Sequence, residues 1–506
     1  MRNSFTALDL IVLVAYLAGT TLLGVYLGRN QKSARDYFVA NHKIPWWAVL
    51  FSVVATETSA LTVISIPGLA YLGNLGFLQI AAGYIIGRIV VAYTLLPRYY
   101  RGNLVTAYAL LEQRFGVATR RFASVVFMFT RAFADSVRVF ATAIPIALIL
   151  EPILPASVVM PVAILVLGAL TLIYTYNGGV RAVVWTDVIQ TSVYLVGAAA
   201  AVIIIGHGVD GGWSTIFHSA SATGKLRIID WYTGLDRDQT MFAGLLGGAF
   251  LSMASHGADQ VIVQRLMTAS SLRDAKRALI GSGFAVFFQF ALFLVIGTGM
   301  WAYFGTRHFD SPDNIFPTFI VTAMPTGLIG LLVAAILAAT MSAHSGAINS
   351  LAAATVHDIY LPITRRDPND ARALKVAKLA SLAWGVVLLA IAMLYLLYRD
   401  RGTSVVIVAL GITSFTYGAL LGGFALGILW LRAQQRDAII GMTLGILVMT
   451  VVVSAKQLSS FWPLLEPIGK IAWPWYVLIG TSVTVCVGIF TSLFPHGSAR
   501  IKVDNA

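Results

Sequence analysis

The chain has 506 residues, 58% of them apolar and only 11% charged, against roughly 25% charged in an ordinary soluble domain. A membrane-spanning helix takes about 20 mostly apolar residues, so there is material for a dozen or more, and a secreted disulfide-built or disordered protein is excluded. Cys486 stands alone, which rules out an internal disulfide and a cysteine metal centre; the net charge of +13 is a poor argument for nucleic-acid binding, because its distribution follows the topology.

Apolar runs predict thirteen spans, at 5–27, 46–72, 76–97, 121–150, 157–175, 183–206, 240–263, 278–304, 324–356, 375–398, 403–431, 437–455 and 473–494. The first is not a cleaved signal, because it lacks an Ala-x-Ala-like end and its basic residues follow the apolar run. With the N-terminus outside, alternation puts 23 Lys/Arg in cytoplasmic segments and 9 in outer ones. Arg88, Arg131 and Arg138 stay inside spans and complete the 35. That bias predicts an integral plasma-membrane protein with its C-terminus in the cytoplasm. The longest outer loop, 207–239, carries Trp213, Trp231, Asp230, Asp236 and Asp238 and is too short for a domain. The function is therefore expected inside the bundle.

Two spans are interrupted. The second reads FSVVATETSALTVISIPGLAYLG, with polar Thr56-Glu57-Thr58-Ser59 followed by Pro67-Gly68. A carboxylate at that depth costs about 3 kcal/mol unless it faces protein or water. The seventh has Gly247-Gly248, then Ser252, Ser255, His256, Gly257 and Asp259. Each opens a five-span block, 46–206 and 240–431. Matched interruptions in two halves are the mark of an inverted-repeat transporter, with carbonyls and helix ends freed to bind ions and charged solute groups. Segment 1–45 is then an extra helix and cytoplasmic loop, and 432–506 two further helices and a tail.

Four stretches carry a family resemblance: YTYNGGVRAVVWTDVIQ at 174–190, AATMSAHSGAINSLAAATVHDIY at 338–360, GALLGGFALG at 418–427, and the break at 55–73. Together they resemble the sodium:solute symporter family over nearly the whole chain. Val180 departs from the Leu, Met or Phe that usually follows the Gly pair. The resemblance implies an all-α LeuT-like fold of about thirteen transmembrane helices. Its 5+5 core is the second to eleventh spans, with broken first and sixth core helices.

The resemblance also implies a sodium site between the first and eighth core helices. The matched carbonyl donors are Ala55, Thr58 and Ala339, and the hydroxyl is Ser342. Hard cations favour such oxygens. The usual second hydroxyl is replaced by Ala343; Ser345 shares the helix face of Ser342 and is a substitute donor. Asp187 of the WTD motif matches the acidic residue on the inner sodium path, and its other reading is a helix-start charge. His344 keeps proton coupling open, because imidazole titrates near neutrality.

The family places its solute near the midplane, and Thr62 matches a solute-facing position. Ser252 to His256, with Ser255 and His256 as candidates, lacks the Tyr gate of sugar-binding members, which disfavours sugars. In FTRAFADSVRVFATA, Arg131 and Asp135 read as an internal ion pair. Arg138 is then spare for a solute carboxylate, whose two oxygens its fork matches. Glu57 has three readings: a partner of Arg138, a site for a solute amine, or a buried partner of Arg88 or of the ion-site machinery. Gln79 and Phe77 are further lining candidates, Phe77 with packing as its other reading. The expected solute is a small carboxylate, an organic acid or amino acid.

The function implied is sodium-coupled symport of a small organic solute by alternating access, with sodium as coupling ion and no organic cofactor. Alternatives are a proton-coupled or uncoupled carrier, a channel and an intramembrane enzyme. The sequence has no Gly-x-Ser-x-Gly, His-Glu-x-x-His or phosphate-loop motif and no filter motif. The expected partners are the solute and the lipid bilayer, with no nucleic acid, and a functional monomer is plausible.

Overall fold

The computed structural model describes residues 5–494, except 29–43, 59, 102–103, 105, 152, 176–179, 306, 366–370 and 399–403. Ser59, the motif residues 176–179 and the basic residues of 29–43 and 500–502 thus lie outside the described set. The described residues contain no strand. Their helices are α1 (Ala7–Gly28), α2 (Trp46–Glu57), α3 (Ala60–Leu72), α4 (Leu78–Thr94), α5 (Ala109–Phe115), α6 (Val117–Leu150), α7 (Ala156–Thr175), α8 (Val180–Gly208), α9 (Gly212–Ala222), α10 (Gly248–Gly257), α11 (Gln260–Leu266), α12 (Leu272–Phe304), α13 (Ile315–Ala323), α14 (Leu328–Ala353), α15 (Ala371–Tyr398), α16 (Val405–Leu429), α17 (Gln435–Leu458) and α18 (Trp475–Ser492).

All thirteen predicted segments are helical. Nine helices among the described residues are long and apolar enough to cross a membrane, or ten with the bent pair α2–α3 as one span. The seventh segment is divided into a π turn at Ala243–Gly247, α10 and α11; of α1 and α7, only Ala7–Thr20 and Ala156–Leu172 enter this count, because side chains that follow lie outside the described set. Three loop helices, α5, α9 and α13, were not expected from the sequence.

Both predicted breaks are present. The second span bends by 59° between α2 and α3. Past the bend, Pro67 lies inside α3, where it has no N–H to donate. The groove beside it is filled by backbone: a Cβ on Gly297 of α12 would meet the Pro67 carbonyl oxygen at 2.1 Å, and one on Gly68 would meet that of Pro312 at 2.3 Å. In the second break, α10 ends at Gly257 and α11 restarts after Asp259, whose Oδ1 caps it by accepting from Val261 N at 2.8 Å.

Glycines hold the broken seventh span against α4. A Cβ on Gly83 would approach the Gly244 carbonyl oxygen to 2.2 Å, and one on Gly87 that of Ala249 to 2.3 Å; from the other side, a Cβ on Gly248 would approach the Ile80 carbonyl oxygen to 2.5 Å. Gly83-x-x-x-Gly87 thus faces Gly244-x-x-x-Gly248. Small residues at this spacing let helix backbones touch where no water is available to drive association.

α14 is the buried axis, packed against α1, α6, α7, α8 and α15. Its central run, AATMSAHSGA, is small enough to admit these neighbours. α1 is tied to its start by Asp9, a fully buried carboxylate. Asp9 accepts from Gly327 N at 2.7 Å and Gly330 N at 2.9 Å, and from Thr6 N and Oγ1 at 2.9 and 2.8 Å. It meets the positive end of the α14 dipole. On the other side of the bundle, α16, α17 and α18 pack on one another, and α16 reaches α6 and α10.

Candidate functional site

A cavity of about 120 Å³ lies where the two breaks face each other. Its walls come from α2 and α3 (Thr56, Glu57, Thr62), α4 and its first cap (Tyr84, Phe77), α6 (Arg131, Ala134, Arg138), the second break (Ser255, His256, Asp259) and α16 (Val406, Ala409, Leu410, Thr413, Tyr417). Five of the six predicted solute-site residues therefore meet here: Glu57, Thr62, Arg138, Ser255 and His256. Gln79 does not. Its amide Nε2 donates to the Gly76 and Gln239 carbonyls at 3.1 and 3.0 Å, and its Oε1 accepts from Asp230 N at 3.1 Å. It therefore secures a loop, beside a second cavity of about 340 Å³ that Arg227, Asp230, Arg237 and Gln239 line. Phe77, the other lining candidate of this helix, does line the central cavity.

One pole of the cavity presents two arginine side chains, each held by a carboxylate. Asp135, fully buried, sits between two guanidiniums: Arg138 at 2.8 Å from Oδ1 and Arg131 at 3.3 Å from Oδ2. The expected Arg131–Asp135 pair is present, but Arg138 is not spare, since it shares the carboxylate. Arg131 also lies 3.8 Å from Asp259, whose Oδ2 accepts from Tyr417 OH at 2.5 Å. Among the described residues Arg138 Nε has no hydrogen-bond partner. An ion that enters here meets two guanidinium forks that share one close carboxylate.

The opposite pole is a buried ion pair. Glu57 Oε2 takes Arg88, which is fully buried and also donates to Ser282 Oγ at 2.6 Å. His256 Nε2 lies 3.5 Å from the same Oε2, and His256 Nδ1 is 2.8 Å from Ser255 Oγ. The Ser255 hydroxyl also donates to the Ser252 carbonyl at 3.4 Å, so the serine stands between that carbonyl and the imidazole. Glu57 pairs with Arg88, as one of its readings has it, and not with Arg138, which Asp135 holds.

Of the predicted ion-site residues, Asp187 and Ser342 are in contact, and Ser52 ties α2 to them. Ala55 and Thr58 end α2, where a helix's last carbonyls have no following turn to accept from. Thr58, Ser342 and Ser345 are buried, and Thr58 Oγ1 and Ser345 Oγ have no hydrogen-bond partner among the described residues. Ser342 Oγ donates to Asp187 Oδ1 at 3.0 Å, and Ser52 Oγ donates to Oδ2 at 2.8 Å. Asp187 lies seven residues inside α8 and is buried, so it is not a helix-start charge. It joins α2, α8 and α14. Arg265 of α11 stands behind it, 3.9 Å from Oδ2, and donates from Nε to Ser52 Oγ at 3.2 Å. Hydroxyls, carbonyls and one carboxylate form the donor set a hard cation takes.

The sequence reading missed Tyr417 and the rest of the α16 wall, the capping role of Asp259, and Arg265. Asp259 carried a signal, because it follows a His-Gly pair in an interrupted span. The α16 residues carried none: they punctuate a run whose other members are apolar.

The family model for the sodium:solute symporter family matches residues 37–445. A sodium/sialic acid symporter of Aliivibrio fischeri is 32% identical across 99% of this chain and 96% of its own. Sodium-coupled monocarboxylate transporter 1 of Xenopus laevis is 25% identical across 98% of this chain and 86% of its own. The solved structure of a Na⁺-coupled sialic acid symporter, substrate-bound and outward-open, superposes with a TM-score of 0.82 at 31% identity, over 97% of this chain and 99% of that one. The chain belongs to the sodium:solute symporter family: it is an integral membrane protein that couples sodium to the passage of a small organic solute, and not an enzyme.

Proposed function

We propose that the solute is a small organic carboxylate, bound with its charge toward Arg138 and Arg131. The observation that carries this is the sharing of Asp135 by two guanidiniums at the cavity wall. Arg–carboxylate recognition is charge-assisted and bidentate. The relatives' solutes support it, since sialic acid and monocarboxylates all bear this group. Sugars were set aside on the missing Tyr; a sugar acid satisfies the carboxylate reading and restores a hydroxylated body to the candidates.

Sodium would be held by the Ala55, Thr58 and Ala339 carbonyls with the Ser342 and Ser345 hydroxyls, and would leave along Asp187. The unpartnered Thr58 and Ser345 hydroxyls support Ser345 as the replacement for the oxygen lost at Ala343. The five-helix units would be 46–206 and 240–431, flanked by 1–45, 207–239 and 432–506. The N-terminus would lie outside and the C-terminus in the cytoplasm, on the basic-residue bias. The working unit would be a monomer. Sodium draws α2 and α14 together and raises affinity for the carboxylate, and the carboxylate raises affinity for sodium by the same factor. The core then rocks about the cavity and releases both inward.

The test is thermal stability of the purified protein in sodium chloride against choline chloride, with carboxylates and their carboxamides. A ligand of the native state raises apparent stability. Sodium is expected to stabilise, and carboxylates to add to it only in sodium. Equal responses to carboxylate and carboxamide would overturn the assignment of the arginine pole.

A further inference from the structure

We infer that Glu57 is a specificity-determining residue that accepts a hydrogen bond from a neutral O–H or N–H of the solute, at the end opposite its carboxylate. The inference rests on the proposed carboxylate site and names what the far pole reads.

Four observations carry it. Glu57 lines the cavity and keeps 17% of its side chain exposed, while its partner Arg88 is fully buried. Its ion contacts all fall on one oxygen: Arg88 and His256 both approach Oε2. Oε1 has no hydrogen-bond partner among the described residues and is left to the cavity. The α2–α3 bend sits at this residue, and a bond that spans it, Thr62 Oγ1 donating to the Glu57 carbonyl at 3.2 Å, fixes the backbone and not the carboxylate.

The charge of Glu57 decides the kind of donor. Arg88 already balances it. Around the cavity, Glu57, Asp135 and Asp259 are matched by Arg88, Arg131 and Arg138. A solute ammonium at this pole would be a second cation beside Arg88, with the one carboxylate already balanced, and its desolvation would be only partly offset. A hydroxyl or amide N–H gains a hydrogen bond to a charged acceptor and brings no charge of its own. An apolar end would displace the water on Oε1 without replacing its hydrogen bond. The pair is therefore built to select a hydroxylated or amide-bearing acid over a fatty acid and over a zwitterion of equal length.

The experiment uses the full-length protein in detergent and sodium chloride, with gluconate, sialic acid, hexanoate and 6-aminohexanoate as probes. Wild type is expected to bind at least one hydroxylated acid roughly tenfold or more tightly than hexanoate, the range of one charge-assisted hydrogen bond, and 6-aminohexanoate no better than hexanoate. Glu57→Gln is expected to shrink the ratio of hydroxylated-acid to hexanoate affinity several-fold, a ratio in which the effect of the lost charge on carboxylates in general cancels. Equal binding of hydroxylated acids and hexanoate by wild type overturns the inference without any variant, so it survives a variant that fails to fold. Tightest binding of 6-aminohexanoate overturns it in favour of an amine site. An unchanged ratio in a folded Glu57→Gln also overturns it. If no carboxylate binds better than its carboxamide, the parent carboxylate reading falls and takes this one with it.

Discussion

Asp135 shows how one carboxylate sets the properties of two cations. Removing it strands both guanidiniums in the core, and breaking a buried pair costs about 3–5 kcal/mol. Asp135→Ala is therefore expected to lower the unfolding temperature sharply. Arg138→Gln leaves Asp135 paired with Arg131, so it should fold, retain its sodium response and lose carboxylate affinity tenfold or more in a binding titration. The two serines of α14 separate in the same way. Ser342 already bonds to Asp187, so Ser342→Ala should reduce stability with or without sodium. Ser345 has an unsatisfied hydroxyl, so Ser345→Ala should cost nothing in choline and shrink only the sodium-induced rise. A Ser345→Ala protein with the full sodium rise would remove Ser345 from the ion site. At this scale the sequence was informative where a residue was out of place in lipid. Glu57, Arg138, His256 and Asp187 each drew attention as polar groups in apolar runs. Pairing was the illegible part: Glu57 and Asp187 were each given competing roles, and only the packing of α2 on α8, α11 and α12 selects among them.

Helices are legible from hydropathy because each must satisfy its own backbone, and the thirteen predicted segments correspond to helices here. α5, α9 and α13 escaped notice because short helices lying in loops need neither length nor a long apolar run. The breaks were visible from Gly, Pro and polar residues in matching places, yet what holds the second break was not. The contact of Gly83 and Gly87 with Gly244 and Gly248 requires knowing that α4 faces the seventh span. A side chain at either α4 position meets carbonyl oxygen within 2.3 Å, which no rotamer relieves. Gly83→Leu and Gly87→Leu are each expected to cost 1–3 kcal/mol or more by overpacking, read as lower detergent stability. Wild-type stability in either variant would show that the two helices can separate freely.

The whole molecule is drawn here around a cavity of about 120 Å³, below the roughly 300–1,000 Å³ of sites for drug-sized ligands. A solute larger than a few carbons therefore requires the walls to part, and α16 supplies the longest of them. Its start is secured at a distance: Asp313, beside α13, accepts from Val405 N at 2.9 Å and from Ser404 Oγ at 3.2 Å. Asp313→Ala should free that end and speed solute entry in a stopped-flow binding trace; unaltered entry would place the moving wall elsewhere. The same cavity has a consequence for electricity. Its three acids and three arginines cancel, so the empty carrier presents no fixed charge at its centre for the membrane field to act on. A monocarboxylate that travels with one sodium ion then displaces no net charge, whereas a second sodium makes every turnover an inward current. Solute-evoked current across a supported bilayer would thus count the ions: silence means one per carboxylate, and inward current means at least two.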